Sequence, residues 1–185
     1  MKISAATNVV SLVGTEEFPV YDATATAKAA TIANVGDYFS TRARKGAKVG
    51  NSATQSITNN TWTVLTWDTE LFDDGGFWAS TNATKLIVPT GQAGRYLLQG
   101  RVLWAASATA SLVACRIKVT GVIEFTSHRA NVNHATQLAS VDVAMLVDLA
   151  ELEEVTLEAW QNSGGSRNVR ASPDTWLAMT KLAEV

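Results

Sequence analysis

The sequence has one cysteine, Cys115, and two histidines, His128 and His134, in 185 residues. A lone thiol cannot form an intrachain disulfide or a cysteine-only metal site. Two imidazoles leave little material for metal or acid–base chemistry. An excess of charge of one sign is missing as well: 15 Lys and Arg stand against 17 Asp and Glu, a formal net charge of -2. Nucleic-acid binding draws on a dense basic surface that replaces the counterions on phosphates, so this balance argues against it. No apolar run reaches the roughly 18 residues of a membrane-spanning helix, and no membrane insertion is expected. The opening stretch Met1–Thr7 carries one lysine and no apolar block of secretory-signal length. The composition is that expected of a soluble protein made in a reducing cytosol, with no cofactor and no enzymatic activity.

What is there is a chain that is 46% hydrophobic and 17% charged, enough for one core-bearing domain and an appendage. Residues 1–50 are rich in Ala, Thr, Val and Gly. Their last part, Thr41-Arg42-Ala43-Arg44-Lys45-Gly46-Ala47-Lys48-Val49-Gly50, reads as a basic linker or docking arm. From Ala53 onward the texture changes to short strands of period two. In Gly94–Trp104, Tyr96, Leu98, Val102 and Trp104 share one face, with Arg95, Gln99 and Arg101 on the other. Val113, Cys115, Ile117 and Val119 form a second inward row, and Val141, Val143, Met145 and Val147 a third. Val155–Trp160 alternates in the same way, and Thr175–Leu182 puts Trp176, Ala178 and Leu182 on one side.

Turn chemistry separates these runs: Asp73-Asp74-Gly75-Gly76, the glycines of 89–94, Thr120-Gly121 and Asn162-Ser163-Gly164-Gly165-Ser166 supply hairpin positions. Asp148–Glu154 is expected as a charged turn between strands. About eight short strands at this spacing predict an all-β sandwich or jelly roll. Trp62, Val64, Leu65 and Trp67 make one short run apolar on both faces. A two-layer sandwich buries one face of each sheet, so a second apolar face implies another subunit and a symmetric oligomer.

Residues 53–185 resemble the trimeric jelly roll of complement-type globular heads and tumour-necrosis-factor-like ligands. The likeness is carried in order by Asn59–Glu70, by Gly94-Arg95-Tyr96-Leu97-Leu98-Gln99-Gly100-Arg101-Val102, by Ser111–Gly121, by Leu138–Trp160 and by Thr175–Leu182. The wording of Phe72-Asp73-Asp74-Gly75-Gly76-Phe77 and Ser80–Leu86 is similar to the variety in bacteriophage structural proteins. The N-terminal region, through Leu12-Val13-Gly14-Thr15-Glu16-Glu17-Phe18-Pro19-Val20-Tyr21 and Thr26–Val35, resembles a module at the start of phage tail-fibre proteins. That module pairs two strands and adds a short helix. The sequence departs from it at Asp22-Ala23-Thr24-Ala25, where a glycine turn is usual. The resemblance implies a jelly-roll trimer preceded by a small virion-anchoring segment in which Gly14, Glu16, Phe18, Val20, Tyr21, Ile32 and Val35 serve attachment. It also implies a virion location after synthesis in the host bacterial cytoplasm, with other tail or capsid proteins as partners.

Chemistry was weighed against plainer roles. His128 and His134 with Asn131 and Asn133 lack the further ligands of a zinc site and read as a polar loop, although a ring of three His128 on a trimer axis is conceivable. Asp68, Glu70, Asp73 and Asp74 do not have calcium-loop spacing and read, like Glu151, Glu153 and Glu154, as solvated turns. Ser127 and His128 are neighbours on a strand and point to opposite faces, which defeats a nucleophile–base pair. Cys115 alternates with Val113 and Ile117 as a core thiol. No acid–base carboxylate pair is singled out, so no catalytic or metal residue is assigned. Trp62, Trp67, Tyr96, Trp104 and Trp176 are expected in the core or at trimer seams. Trp78, Trp160 and Trp176 are flat rings suited to sugar stacking, for which core packing is the plainer role. Trp160 with Asn162, Arg167, Asn168 and Arg170 around the Gly164-Gly165 turn is the candidate contact for a host-surface glycan. The resulting expectation is a non-enzymatic homotrimeric tail fibre or adhesin, with a capsid decoration or head-fibre protein as the alternative.

Overall fold

The computed structural model describes residues 17–21, 27–31, 45–109, 111–120, 124–129, 138–171 and 173–183. The chain divides into two units, residues 1–43 and 44–185. In the first, β1 (Glu17–Tyr21) pairs antiparallel with β2 (Ala27–Thr31), Glu17 opposite Thr31 and Tyr21 opposite Ala27. The two strands expected there are thus present, and Phe18, Val20 and Tyr21 lie on β1. Gly14, Glu16, Ile32, Val35 and the short helix expected after the second strand lie outside the described residues.

The second unit is an all-β jelly-roll sandwich. Its strands are β3 (Gly46–Gly50), β4 (Gln55–Ile57), β5 (Thr63–Val64), β6 (Thr69–Asp74), β7 (Leu86–Ile87), β8 (Gly94–Trp104) and β9 (Val113–Val119). They continue with β10 (Glu124–Arg129), β11 (Ala139–Leu149), β12 (Glu154–Gln161), β13 (Arg167–Val169) and β14 (Trp176–Ala183). One sheet runs β11-β8-β14-β3-β6, with β13 and then β4 continuing from the end of β8. The other runs β10-β9-β12-β5, with β7 also on β12. Every pairing between these strands is antiparallel. From β4 to β13 the chain changes sheet at every connection except that between β9 and β10, so each sheet is assembled from distant segments.

Period-two alternation places the core between the sheets. Tyr96, Leu98, Val102 and Trp104 from β8 meet Val113, Cys115 and Ile117 from β9, Leu157 from β12, and Leu177 and Met179 from β14. Trp67 and Phe77 join them, the latter edge-on to Tyr96 with centroids 6.0 Å apart. The Tyr96 hydroxyl donates to the Gln92 carbonyl, which satisfies the polar end of a buried ring. Gly100 stands where a Cβ would lie 2.7 Å from Leu157 Cδ1 and 3.2 Å from Val143 Cγ1. A glycine there lets the two sheets close on one another. Cys115 is buried, its Sγ 3.6 Å from the Val141 carbonyl. Burial, with Asp142 adding to it, pushes the thiol up to about 12.

One expectation is corrected. Residues 41–50 do not form a linker throughout: Gly46–Gly50 is β3, hydrogen-bonded between β14 and β6. Ala47 and Val49 are fully buried, and only Lys48 of the central three projects outward. A boundary at Ala53 would therefore cut an interior strand from the sheet. In β14 the core residues are Leu177 and Met179, whereas Trp176 and Leu182 face away from it. The turns fall where glycine and Asx chemistry put them. Gly76, Gly91 and Gly164 have positive φ, and Asp73 Oδ1 accepts from the amides of Gly76 and Phe77 while Oδ2 accepts from Trp78. The charged turn at 150–153 joins β11 to β12, with Leu152 at φ 65°.

Candidate functional site

Each sheet has an outward face, and the two differ. On the seven-stranded sheet the register aligns three rows across β11, β8, β14 and β3. Asp142, Arg101, Trp176 and Gly50 form one row, and Ala144, Gln99, Ala178 and Lys48 the next. Leu146, Leu97, Thr180 and Gly46 form the third. Leu146 is 63% exposed, and Leu182 and Phe72 also stand open to solvent. Lys48 Nζ lies 4.2 Å from the centre of the Trp176 ring. Arg101 Nε is 3.7 Å from Asp142 at one end of the apolar rows. At the other end Arg95 grips Asp148 with two bonds, Nε–Oδ1 2.7 Å and Nη2–Oδ2 2.9 Å. Those bonds hold the Asp148 carboxyl below its ordinary 3.8.

On the five-stranded sheet the outward rows run Val64, Glu158, Arg116 and, beyond the ladder end of β5, Trp62 beside Trp160 and Ala114. The two indoles are 6.2 Å apart at 35°. Arg116 places its guanidinium 4.3 Å from the centre of the Trp62 ring and donates from Nε to Glu158 Oε2 at 2.6 Å. Glu158 is 7% exposed, so this ion pair is largely withdrawn from water under the rings. The segment before Trp62 is pinned: the Asn60 amide donates to the Gln161 carbonyl at 2.8 Å, and Asn59 Oδ1 accepts from the Gly164 amide at 2.9 Å. Asn60 sits at φ 55°, a left-handed position that asparagine tolerates.

The residues expected to share a role are distributed as follows. Trp67, Tyr96 and Trp104 are in the core, while Trp62 and Trp176 lie on opposite outward faces of the sandwich. Trp78 is half-buried against the core. Trp160 is half-buried on β12, and Asn162, Asn168 and Arg170 are exposed. Arg167 does not join them as a surface contact. It is 5% exposed and donates to the Ala105 carbonyl from Nε at 3.0 Å and Nη2 at 2.7 Å, and to Ser111 Oγ from Nη1 at 2.9 Å. Its guanidinium ties β13 to the end of β8, and burial lowers its pKa. Asn162 Oδ1 accepts from the Leu112 amide at 2.7 Å, closing the loop before β9. The pairing of Trp62 with Trp160 was not anticipated from sequence.

The acidic clusters do structural work. Asp68 accepts from the Ser52 amide at 2.6 Å and the Ser52 hydroxyl at 2.5 Å, and its carboxyl is held low by them. Glu151 accepts from the Gly91 amide at 2.8 Å, Glu153 from the Ala150 amide at 2.8 Å, and Glu154 pairs with Lys85. Among the described residues, no three His, Cys, Asp or Glu side chains converge on a point that would hold a metal ion. His128 is opposite Ala114 in the β10–β9 ladder, and His134 lies outside the described residues. No helix among the described residues is long and apolar enough to cross a membrane.

No family model matches the sequence, and no curated protein matches it in sequence. Solved structures do match its shape. The Eiger tumour necrosis factor of S. frugiperda superposes with a TM-score of 0.57 at 12% identity, over 78% of this chain and 96% of that one. The globular domain of zebrafish complement 1qA protein gives 0.59 at 11% identity, over 77% and 99%. Murine APRIL gives 0.55 at 17% identity, over 75% and 99%. At such identities the likeness is one of fold, and the fold of this chain is the jelly roll shared by tumour-necrosis-factor and complement 1q globular domains.

Proposed function

We propose that the chain is a non-enzymatic structural protein of a bacteriophage virion, a homotrimeric tail fibre or adhesin that attaches the particle to the host surface. The observation that carries the self-association is the outward face of the seven-stranded sheet. Leu146 and Leu182 stand exposed there beside half-buried Leu97 and the flanking ion pairs, and the sandwich itself leaves them uncovered. A second and third copy cover such a face in the trimeric jelly roll that the sequence resembles. The virion role is supported by the resemblance of both units to phage proteins. In this reading the first unit, through Gly14, Glu16, Phe18, Val20, Tyr21, Ile32 and Val35, docks on other virion proteins. The second unit then presents a host-glycan contact in three copies, so that weak binding at each gains avidity. The non-enzymatic reading is supported by carboxylates committed to turns and by a thiol that burial keeps protonated.

One observation favours a capsid decoration or head fibre as the second reading. Only residues 32–45 stand between β2 and β3, too few for a shaft. Gold-labelled antibody on intact particles decides between the two. Label at the tail is the expected result, label over the head favours the second reading, and unlabelled particles refute both.

A further inference from the structure

We propose that Trp62 and Trp160, with Asn60 and Thr61 at their rim, form a binding platform for a neutral saccharide. The proposal rests on the adhesion reading above and assigns it a site and a ligand class. The core beneath is complete without these rings: Leu65, Ile117 and Leu157 are fully buried on the inner side of the same sheet. Two indoles tilted by 35° at 6.2 Å offer adjacent apolar surfaces, and the C–H face of a pyranose matches such a surface. Their positions are preset. Register puts Trp62 next to Trp160, the Asn60 amide fastens the loop to β12, and the Arg116 guanidinium lies against the Trp62 ring. A platform arranged before binding loses little entropy when a ligand lands on it.

Charge selects the ligand class. Arg116 lies against the Trp62 ring, and its Nε and Nη2 both engage Glu158 Oε2, at 2.6 and 2.5 Å. With guanidinium and carboxylate neutralising each other, the described side chains of the platform, Trp62, Trp160, Asn60, Thr61, Arg116 and Glu158, carry no net charge to reward a uronic or sialic acid, or an amino sugar. The exposed side chains of Asn60 and Thr61 add an amide and a hydroxyl, the groups that exchange hydrogen bonds with sugar hydroxyls. Arg167 is committed to Ala105 and Ser111 and plays no part.

The test uses the full chain on an array of neutral and acidic glycans, followed by tryptophan-fluorescence titration with the neutral glycan that gives the strongest signal. Binding confined to neutral glycans is expected, weakened about tenfold or more by Trp160→Ala and less by Trp160→Phe. Thr156→Ala, on the same outward face but away from the rings, leaves binding unchanged. Glu158→Gln removes the negative charge beside Arg116 and shifts preference toward acidic glycans. Absence of neutral-glycan binding, preference of the native chain for acidic glycans, or full binding by folded Trp160→Ala would each overturn the platform. Glycan binding by a protein missing from virions would keep the platform and refute the virion reading, whereas a virion protein that binds no neutral glycan does the reverse.

Discussion

On the seven-stranded sheet the outward rows mix leucine and alanine with Gln99, Thr180 and a Trp176 ring faced by Lys48, and their flanking ion pairs stand in solvent. On the five-stranded sheet the outward rows hold two tryptophans, and their ion pair is withdrawn beneath the rings. Both faces come from the same alternation and share one core, so the difference lies in what each leaves unmade. Aliphatic side chains spread across β11, β8 and β14 need a broad, dry cover, which in the proposed trimer another copy of the sheet supplies. Two rings, one on a pinned loop and one on β12, present a small area, suited to a small ligand with an apolar face. Ion pairs follow the same division: an exposed pair contributes little and serves as a rim, whereas a withdrawn pair costs much when one partner is removed.

The largest effect is expected where the comparison has its common root. Trp104→Ala empties a fully buried site that touches both layers and lowers stability by about 3–5 kcal/mol. Thermal unfolding followed by near- and far-ultraviolet circular dichroism should shift together, because neither face survives without the core. Next, Leu146→Asp places a charge on the apolar row and weakens self-association by about 3 kcal/mol, roughly a hundredfold, while the fold persists. Light scattering across a dilution series reads this, and Trp160→Ala leaves the same dilution curve unchanged.

The two ion pairs sharpen the contrast further. Glu158→Ala removes the carboxylate that Arg116 engages beside Trp62 and costs about 1–3 kcal/mol in urea denaturation, with a change in the near-ultraviolet signal of the rings. Asp148→Asn at the exposed pair costs far less, because solvent screens both charges. Its pH dependence has a fixed sign. The folded carboxyl titrates below its ordinary 3.8, so its stabilisation is present above that value and is lost as pH falls through the folded one. Acid denaturation of Asp148→Asn should therefore be slightly shallower than that of the native chain.

Much of the sandwich was legible because long strands with one dry face declare their parity. The rows of β8, β9 and β11 are recognisable in the spacing of Tyr96, Leu98, Val102 and Trp104, of Val113, Cys115 and Ile117, and of Val141 and Val143. Parity became ambiguous where both faces are apolar: in β14 the bulk of Trp176 drew attention from Leu177 and Met179, which are the buried pair. Strand β3 was hidden by composition, since Gly-Ala-Lys-Val-Gly is short, small and adjacent to basic residues, and its burial depends on β14 and β6 flanking it. Arg167 beside a glycine turn looked exposed because nothing local reveals that the carbonyl of Ala105 lies within reach of its fork. The tryptophan platform was out of reach for the same reason. Trp62 and Trp160 meet through the β5–β12 register, a long-range pairing that no local pattern encodes.

The central claim is that the leucine face is an interface between copies and the tryptophan face is not. Its most direct test is the molar mass of the full-length native chain by light scattering at micromolar concentration, measured beside Leu146→Asp and Trp160→Ala. A mass three times the 19.7 kDa of one chain for the native protein and Trp160→Ala, falling toward one chain for Leu146→Asp, is the predicted result. A native monomer, or a trimer that Trp160→Ala breaks and Leu146→Asp leaves intact, would contradict it.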